Sequence, residues 1–133
     1  MLERIATTTS TIFAGCCDEG ASSGIGKAVA IRLSQEHYAL SLSGRDEKAL
    51  EDTAKLCKEA GAEKVIITAG DLCEESNAQK LVVNTVSEFN QIDTLVNSAG
   101  ILVSGNVIDA GIDLYDRQMD VNVRRLSSYL TVR

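Results

Sequence analysis

The chain has 133 residues, 44% of them hydrophobic, with 13 basic against 19 acidic side chains and a formal net charge of -6. That is the size of one domain, large enough to enclose a core and too short for two. The acidic balance argues against an electrostatically driven nucleic-acid surface, and the lack of a long uninterrupted apolar run argues against a membrane span. Cys16, Cys17, Cys57 and Cys73 form no Cys-x-x-Cys pair and share the chain with a single histidine. Neither a zinc site nor a disulfide framework is therefore expected, and reduced thiols in a cytoplasmic protein are.

The first residues, MLERIATTTSTIFAGCC, combine Thr and Ser with Arg4, as targeting segments do. Glu3 opposes a transit peptide, Ile12 to Cys17 is too brief and interrupted for a secretory core, and the Thr-rich residues before FAGC argue against a lipoprotein cleavage site. Proline is absent, so glycine, caps and pattern changes must delimit the elements. After a glycine turn at Gly20 to Gly26, the segment Ile25 to Glu36 spaces Ile25, Val29 and Leu33 by four residues, which predicts a helix with one apolar stripe. Tyr38 to Gly44 is a short β-rich run. RDEKALEDTAKLCKEAG then arranges charges around Leu50, Ala54 and Cys57, an amphipathic helix with Gly61 as its stop.

KVIITAGDL contains the unbroken run Val65, Ile66, Ile67, which suits a strand buried on both faces of a parallel sheet. A helix from about Glu74 to Phe89 would turn Leu81, Val82, Thr85 and Phe89 inward. IDTLVNSAG supplies a further buried strand ending at Asn97, and a loop leads to a last helical stretch from about Asp113. Strands alternating with helices of this length require right-handed crossovers and a covered parallel sheet. The fold expected on pattern alone is an α/β doubly wound domain.

GASSGIG places Gly20, Gly24 and Gly26 at the opening of a helix. Small residues let the backbone approach a pyrophosphate, and the positive helix end meets the negative charge. A tight turn with close helix-sheet packing would use the same glycines. Four further segments stand beside this one: SGRDEKALE, GDL, IDTLVNSAG and MDVNV. In order and approximate spacing the five resemble the short-chain dehydrogenase/reductase family, from Gly20 to about Leu130. The resemblance implies a Rossmann-like parallel sheet, here incomplete, with about four strands and the C-terminal strands missing. It implies residues 20–133 as a truncated NAD(P)-binding domain preceded by a divergent segment, 1–19.

By the same resemblance Gly20, Ser22, Ser23, Gly24, Ile25 and Gly26 form the pyrophosphate loop, with Ile25 reaching towards the nicotinamide half. No carboxylate stands at Gly44, where NAD-preferring members grip the ribose hydroxyls, and the Arg45 guanidinium can pair with a 2'-phosphate. NADP is therefore expected over NAD. Arg45 as a solvated loop charge, followed by Asp46 as a helix cap, is the alternative. Asp71 and Leu72 match the family's adenine pocket. Asn97, Ala99 and Gly100 match its Asn-Asn-Ala-Gly motif beside the ribose, with Ser98 departing at the second position. Asp71 and Asn97 could equally satisfy backbone at strand ends.

Asn122 matches the family's helix asparagine, which interrupts the helix and holds a water in the proton relay; an interior Asn bonded to backbone is the plainer reading. The resemblance implies hydride transfer to or from a carbonyl or alcohol carbon, with a Tyr as acid/base, a Lys four residues on and a Ser on the substrate oxygen. None of the three is found before Arg133. SSYLTVR, with Ser127, Tyr129 and Arg133, imitates them, but it belongs to the stretch that carries Asn122, and arginine lacks lysine's compact ammonium. The expectation is an NADP-dependent short-chain oxidoreductase by lineage that is inactive as this chain alone. A non-catalytic module that binds a dinucleotide or a partner protein through an open sheet edge is the alternative. Association, as a homo-oligomer in the family context, would cover that edge.

One segment departs from the pattern. Where the family runs a hydrophobic first strand into the first glycine, this chain has Cys16, Cys17, Asp18 and Glu19. Unpaired carboxylates do not suit a central strand or a pyrophosphate neighbour. Either Ile12 to Gly15 serves as the strand with a longer loop, or the first strand is lost; weak NADP binding is expected.

Overall fold

A computed structural model describes residues 10–14, 21–72, 74–98, 100–102 and 111–124. The element order is β1 (Ser10–Ala14), α1 (Gly24–Ser34), β2 (Ala39–Gly44), α2 (Glu47–Glu59), β3 (Lys64–Ala69), α3 (Glu75–Phe89), β4 (Thr94–Asn97) and α4 (Ile112–Met119), the last running into a π-helical turn, Asp120–Arg124. The four strands form one sheet in the order β3-β2-β1-β4, and every pairing is parallel. This is the strand order of a doubly wound nucleotide-binding half, with the direction of winding reversed after β3.

A first strand is present, at Ser10–Ala14 rather than at the expected Ile12 to Gly15; Gly15 and the loop after it lie outside the described residues. Ser10–Ala14 is a central strand, with Ser10 to Phe13 in register with Ala39 to Leu42 and Thr11 to Ala14 in register with Thr94 to Asn97. The segment 16–19 lies outside the described residues, as do Gly20, Cys73, Ala99 and the Ser127 to Arg133 stretch.

Strand β2, flanked on both sides, is buried at all six positions. Its two faces have different chemistry. Leu40 and Leu42 join Ala21, Ala30, Leu50, Ala54, Cys57 and Val65 in an apolar cluster beneath α1 and α2. Burying each leucine contributes about 1.5–3 kcal/mol. The opposite face, under α3, carries Ser41 and Ser43, and hydroxyls there must find partners because an unpaired buried one is costly. Ser43 donates to the Thr68 carbonyl at 2.8 Å. The Thr85 hydroxyl bonds the Leu81 carbonyl at 2.7 Å and Ser41 Oγ at 2.8 Å. With one proton to give, it donates to the carbonyl and accepts from Ser41.

Three expectations are corrected here. The helix α1 does not seat itself on an Ile25, Val29, Leu33 stripe: Ile25 is 76% exposed, and the buried residues are Gly26, Ala30 and Ser34. Small side chains face the sheet because they let the helix approach closely, while Val29 and Leu33 pack half-buried at its flank. Strand β3 is not buried on both faces; Ile66 and Ile67 are half-buried because β3 ends the sheet. Strand β4 is likewise only partly covered, with Leu95 and Val96 half-buried between exposed Thr94 and Asn97. In α3, Leu81 and Thr85 are buried as expected together with Ala78, whereas Val82 and Phe89 are half-buried.

Burial also sets the state of Cys57, the buried free thiol in α2. Desolvation pushes its pKa up, against smaller opposing effects of a hydrogen bond from Ser34 and the charge of Lys27. It stays a neutral thiol and packs as a small hydrophobe.

Replacing Thr85→Val keeps the shape and removes both hydroxyl bonds, leaving Ser41 without its partner. The expected loss is about 1–3 kcal/mol in urea unfolding, whereas the exposed Ser87→Ala on the same helix should stay within about 0.5 kcal/mol.

Candidate dinucleotide site at the carboxyl edge of the sheet

In a parallel sheet every strand delivers its following loop to the same edge, and a crevice opens there where the winding reverses. In this chain the reversal falls between β1 and β4, so the crevice is flanked by the turn entering α1 and the loop leaving β4. The other two loops, after β2 and β3, extend the same edge outward. The described candidate residues of all four segments thus belong to one edge of the sheet.

The turn begins at Ala21, fully buried, followed by half-buried Ser22 and Ser23. Ser23 is the N-cap of α1 in extended conformation, and its side chain makes no capping bond. Gly24 has φ 52°, a left-handed conformation that glycine adopts without steric penalty. Gly24 and Ile25 are exposed at the helix end, while Gly26 is buried against the sheet. Among the described helices α1 alone has no acidic residue in its first turn; α2, α3 and α4 have Glu47, Glu75 and Asp113 there. Its own first turn therefore brings no carboxylate to its first N-H groups, which favours an anion there.

Strand β2 ends at Gly44, whose Cα lies against Leu50 and the Ser22 hydroxyl: a Cβ built there would meet both at 3.6 Å. Arg45 follows, exposed. Asp46 is a cap as the alternative reading has it, accepting from the Ala49 N-H at 2.9 Å. The cap does not compete with Arg45 for a role, since each residue uses its own side chain. The loop after β3 is joined to this corner, because the Gly70 N-H donates to the Gly44 carbonyl at 3.0 Å. Asp71 is half-buried and Leu72 only 1% exposed. Leu72 therefore anchors the loop from inside.

At the other flank, Asn97 is the exposed last residue of β4. The Ser98 hydroxyl is enclosed and has no hydrogen-bond partner among the described residues. Gly100 is exposed and Ile101 follows it. Asn122 holds this loop from the π-helical turn: its Oδ1 accepts from the Ile101 N-H at 2.8 Å and its Nδ2 donates to the Ile101 carbonyl at 2.9 Å. A π-turn inside a helix is often a functional feature, since it redirects side chains that a regular helix would misplace. A Cβ on Gly100 would stand 3.3 Å from Asn122 Oδ1, so the close approach selects glycine. Sequence reasoning places Asn122 in a helix, but not its partner: Ile101 offers only backbone. Asn77 of α3, bonded to the Asp71 carbonyl, is a second residue that spacing does not reveal.

The arrangement can hold an extended, anionic ligand, with phosphates at the α1 end and two polar loops beside it. A separate groove of about 350 Å³, lined by Glu51, Ala54, Lys55, Lys58, Glu59, Val65 and Ile67, lies between α2 and β3 and contains none of the candidate residues.

Comparison with known proteins agrees with this geometry. The short chain dehydrogenase family profile matches residues 19–130. An uncharacterised oxidoreductase of Staphylococcus saprophyticus is 34% identical over 106 residues, which cover 79% of this chain and 45% of that protein. A variant of the actinorhodin polyketide ketoreductase solved with NADPH superposes with a TM-score of 0.82 at 26% identity, over 94% of this chain and 46% of its own. An NADH-dependent reductase solved with NAD gives a TM-score of 0.78 at 28% identity, over 94% and 50%. The chain spans about half the length of the curated relatives it matches.

Asn122→Ala should release the β4 loop. Hydrogen exchange at the Ile101 amide is expected to quicken by about 10-fold or more, with exchange in β2 unchanged; unchanged exchange at Ile101 would show that the clamp does not hold the loop.

Proposed function

Since the chain belongs to the short chain dehydrogenase family, we propose that it binds a nicotinamide dinucleotide along the carboxyl edge of its sheet, as the cofactor-binding part of an oxidoreductase acting on a carbonyl or alcohol. The observation that supports this most is the pairing of an uncapped, acid-free α1 N-terminus with the Asn122-held β4 loop across the winding reversal. Ser22, Ser23, Gly24, Ile25 and Gly26, with Gly20 before them, hold the pyrophosphate. Asp71 and Leu72 take the adenine end, and Asn97, Ala99 and Gly100 its ribose.

NADP is preferred over NAD in this reading. Gly44 offers no carboxylate to the ribose hydroxyls, and the exposure of the Arg45 guanidinium beside it supports pairing with a 2'-phosphate. When bound, the dinucleotide supplies or accepts the hydride. The chain's own residues bind and orient it, with Asn122 holding the loop beside the ribose. The sequence contains no Tyr-x-x-x-Lys. In this reading these residues supply no acid/base, a contribution worth roughly 100- to 10,000-fold in rate. Dinucleotide binding without turnover is therefore the activity assigned to these 133 residues, in the cytoplasm.

A second reading, a module that works through protein contact, is favoured by one feature. Strand β4 pairs on one side only among the described residues, and α4 buries none of its own, with Ile112 70% and Tyr115 60% exposed. Exposed apolar faces of this kind are covered by association, including with a second copy.

Fluorescence titration with NADPH and NADH separates the cofactors. NADPH should bind more tightly; Arg45→Ala should weaken NADPH by about 10- to 100-fold while leaving NADH nearly unchanged. Gly44→Asp, whose Cβ would meet Leu50 and Ser22 at ordinary contact distance, should reverse the preference. Equal affinity for the two cofactors would refute the role of Arg45.

A further inference from the structure

The loop that carries Asp71 is fixed from α3, and one side chain does most of the fixing. Asn77 is half-buried at the third position of α3, whose N-cap is Glu74. One N-H of its amide donates to the Asp71 carbonyl at 3.0 Å, and Nδ2 also lies 3.2 Å from Glu74 Oε2. The Asp71 carbonyl accepts a second bond from the Glu74 N-H at 3.0 Å. The same amide group lies flat against Gly70: a Cβ built on that glycine would stand 2.8 Å from Asn77 Cγ. Gly70 itself, at φ 157°, bonds the Gly44 carbonyl.

One side chain therefore touches the residues on which the orientation of Asp71 depends. The amide fills the space where a side chain on Gly70 would stand, the carbonyl of Asp71 is held by the amide N-H, and Leu72 beyond it is locked in the core. The bond from Gly70 carries the constraint across to the end of β2, beside Arg45. We propose that Asn77 is a positioning residue for the adenine end of the dinucleotide, holding Asp71 at the angle from which its carboxylate reaches the base. The proposal rests on the dinucleotide reading above and adds a residue to it.

A positioning role predicts a split that a structural role does not. Removing Asn77 should weaken ligands that contain the adenosine half and spare those that contain only the nicotinamide half. The test uses 2',5'-ADP and reduced nicotinamide mononucleotide, each titrated against the 133-residue chain by isothermal calorimetry. Asn77→Ala should weaken 2',5'-ADP by about 5- to 10-fold and change the mononucleotide by less than about 2-fold. Asn77→Asp should do the same. It removes both donors and introduces a carboxylate into the first turn, where the helix dipole favours it, so it answers the question even if the alanine variant folds poorly. Thr85→Val serves as the control, since it removes bonds to Ser41 and Leu81 further along the same helix and none of those to the loop, and it should leave both affinities within about 2-fold.

Equal weakening of both ligands by the Asn77 variants, or no weakening of either, would overturn the positioning role. So would a 2',5'-ADP loss in Thr85→Val as large as that in Asn77→Asp. If the unsubstituted chain binds neither ligand, it is the dinucleotide reading that fails, and the two failures are thereby distinguished.

Discussion

The carboxyl-edge site depends on the double-sided parallel pairing of Ser10–Ala14. That strand joins β2 to β4. Without it the sheet would divide into a β2-β3 pair and a single short strand, and the crevice at the winding reversal would have no floor. The pairing also explains how an unusual N-terminal region is compatible with a doubly wound fold. Ladder bonds are made by backbone, so a five-residue run of Ser, Thr, Ile, Phe and Ala serves as a central strand without the longer aliphatic pattern that such strands favour.

From that strand outward, the two layers do different work. The apolar layer beneath α1 and α2 supplies most of the burial, and its demand for close approach puts Gly26, Ala30 and Ser34 against the sheet. Close seating brings the N-terminus of α1 to the sheet edge. The hydroxyl layer under α3 is sparser in apolar area and more specific in geometry, because each buried hydroxyl needs a partner at a fixed place. Ser41, Ser43, Thr68, Asn84 and Thr85 form that layer. It packs the middle of α3 on the sheet, while the first turn of the same helix meets the loop after β3 through Asn77's own bond to the Asp71 carbonyl.

Much of this is legible in the residues, and the exceptions have physical causes. The α2 helix is readable from end to end, since Asp46 caps it, Leu50, Ala54 and Cys57 line its buried face, and Gly61 follows its last turn. The strand and helix alternation that predicts an α/β sheet is equally local. The α1 face is misread because apolar side chains stand on several sides of that helix, and close packing selects the smallest rather than the most hydrophobic. Burial of β3 and β4 is overestimated because an apolar run reports what a strand can bury, and its place in the sheet decides what it does bury.

The site is legible in its residue types and not in its contacts. Asn122 stands out as a polar residue in a helix, yet its partner is the backbone of Ile101, twenty-one residues away, and backbone has no sequence signature. Asn77 is indistinguishable by spacing from any polar residue in a first helical turn. The central strand is built from Ser10–Ala14, so it does not have to accommodate Asp18 and Glu19, which lie outside the described residues.

The central claim is that the edge between β1 and β4 is a dinucleotide site with its phosphates at the start of α1. The most direct measurement is a backbone-amide NMR titration of the 133-residue chain with NADPH. The account predicts concerted, saturable shifts at Ser22 to Gly26 and at Asn97 to Ile101, with smaller changes at Arg45 and Asp71. Saturable shifts confined to the groove between α2 and β3, or no shifts at millimolar NADPH, would contradict it.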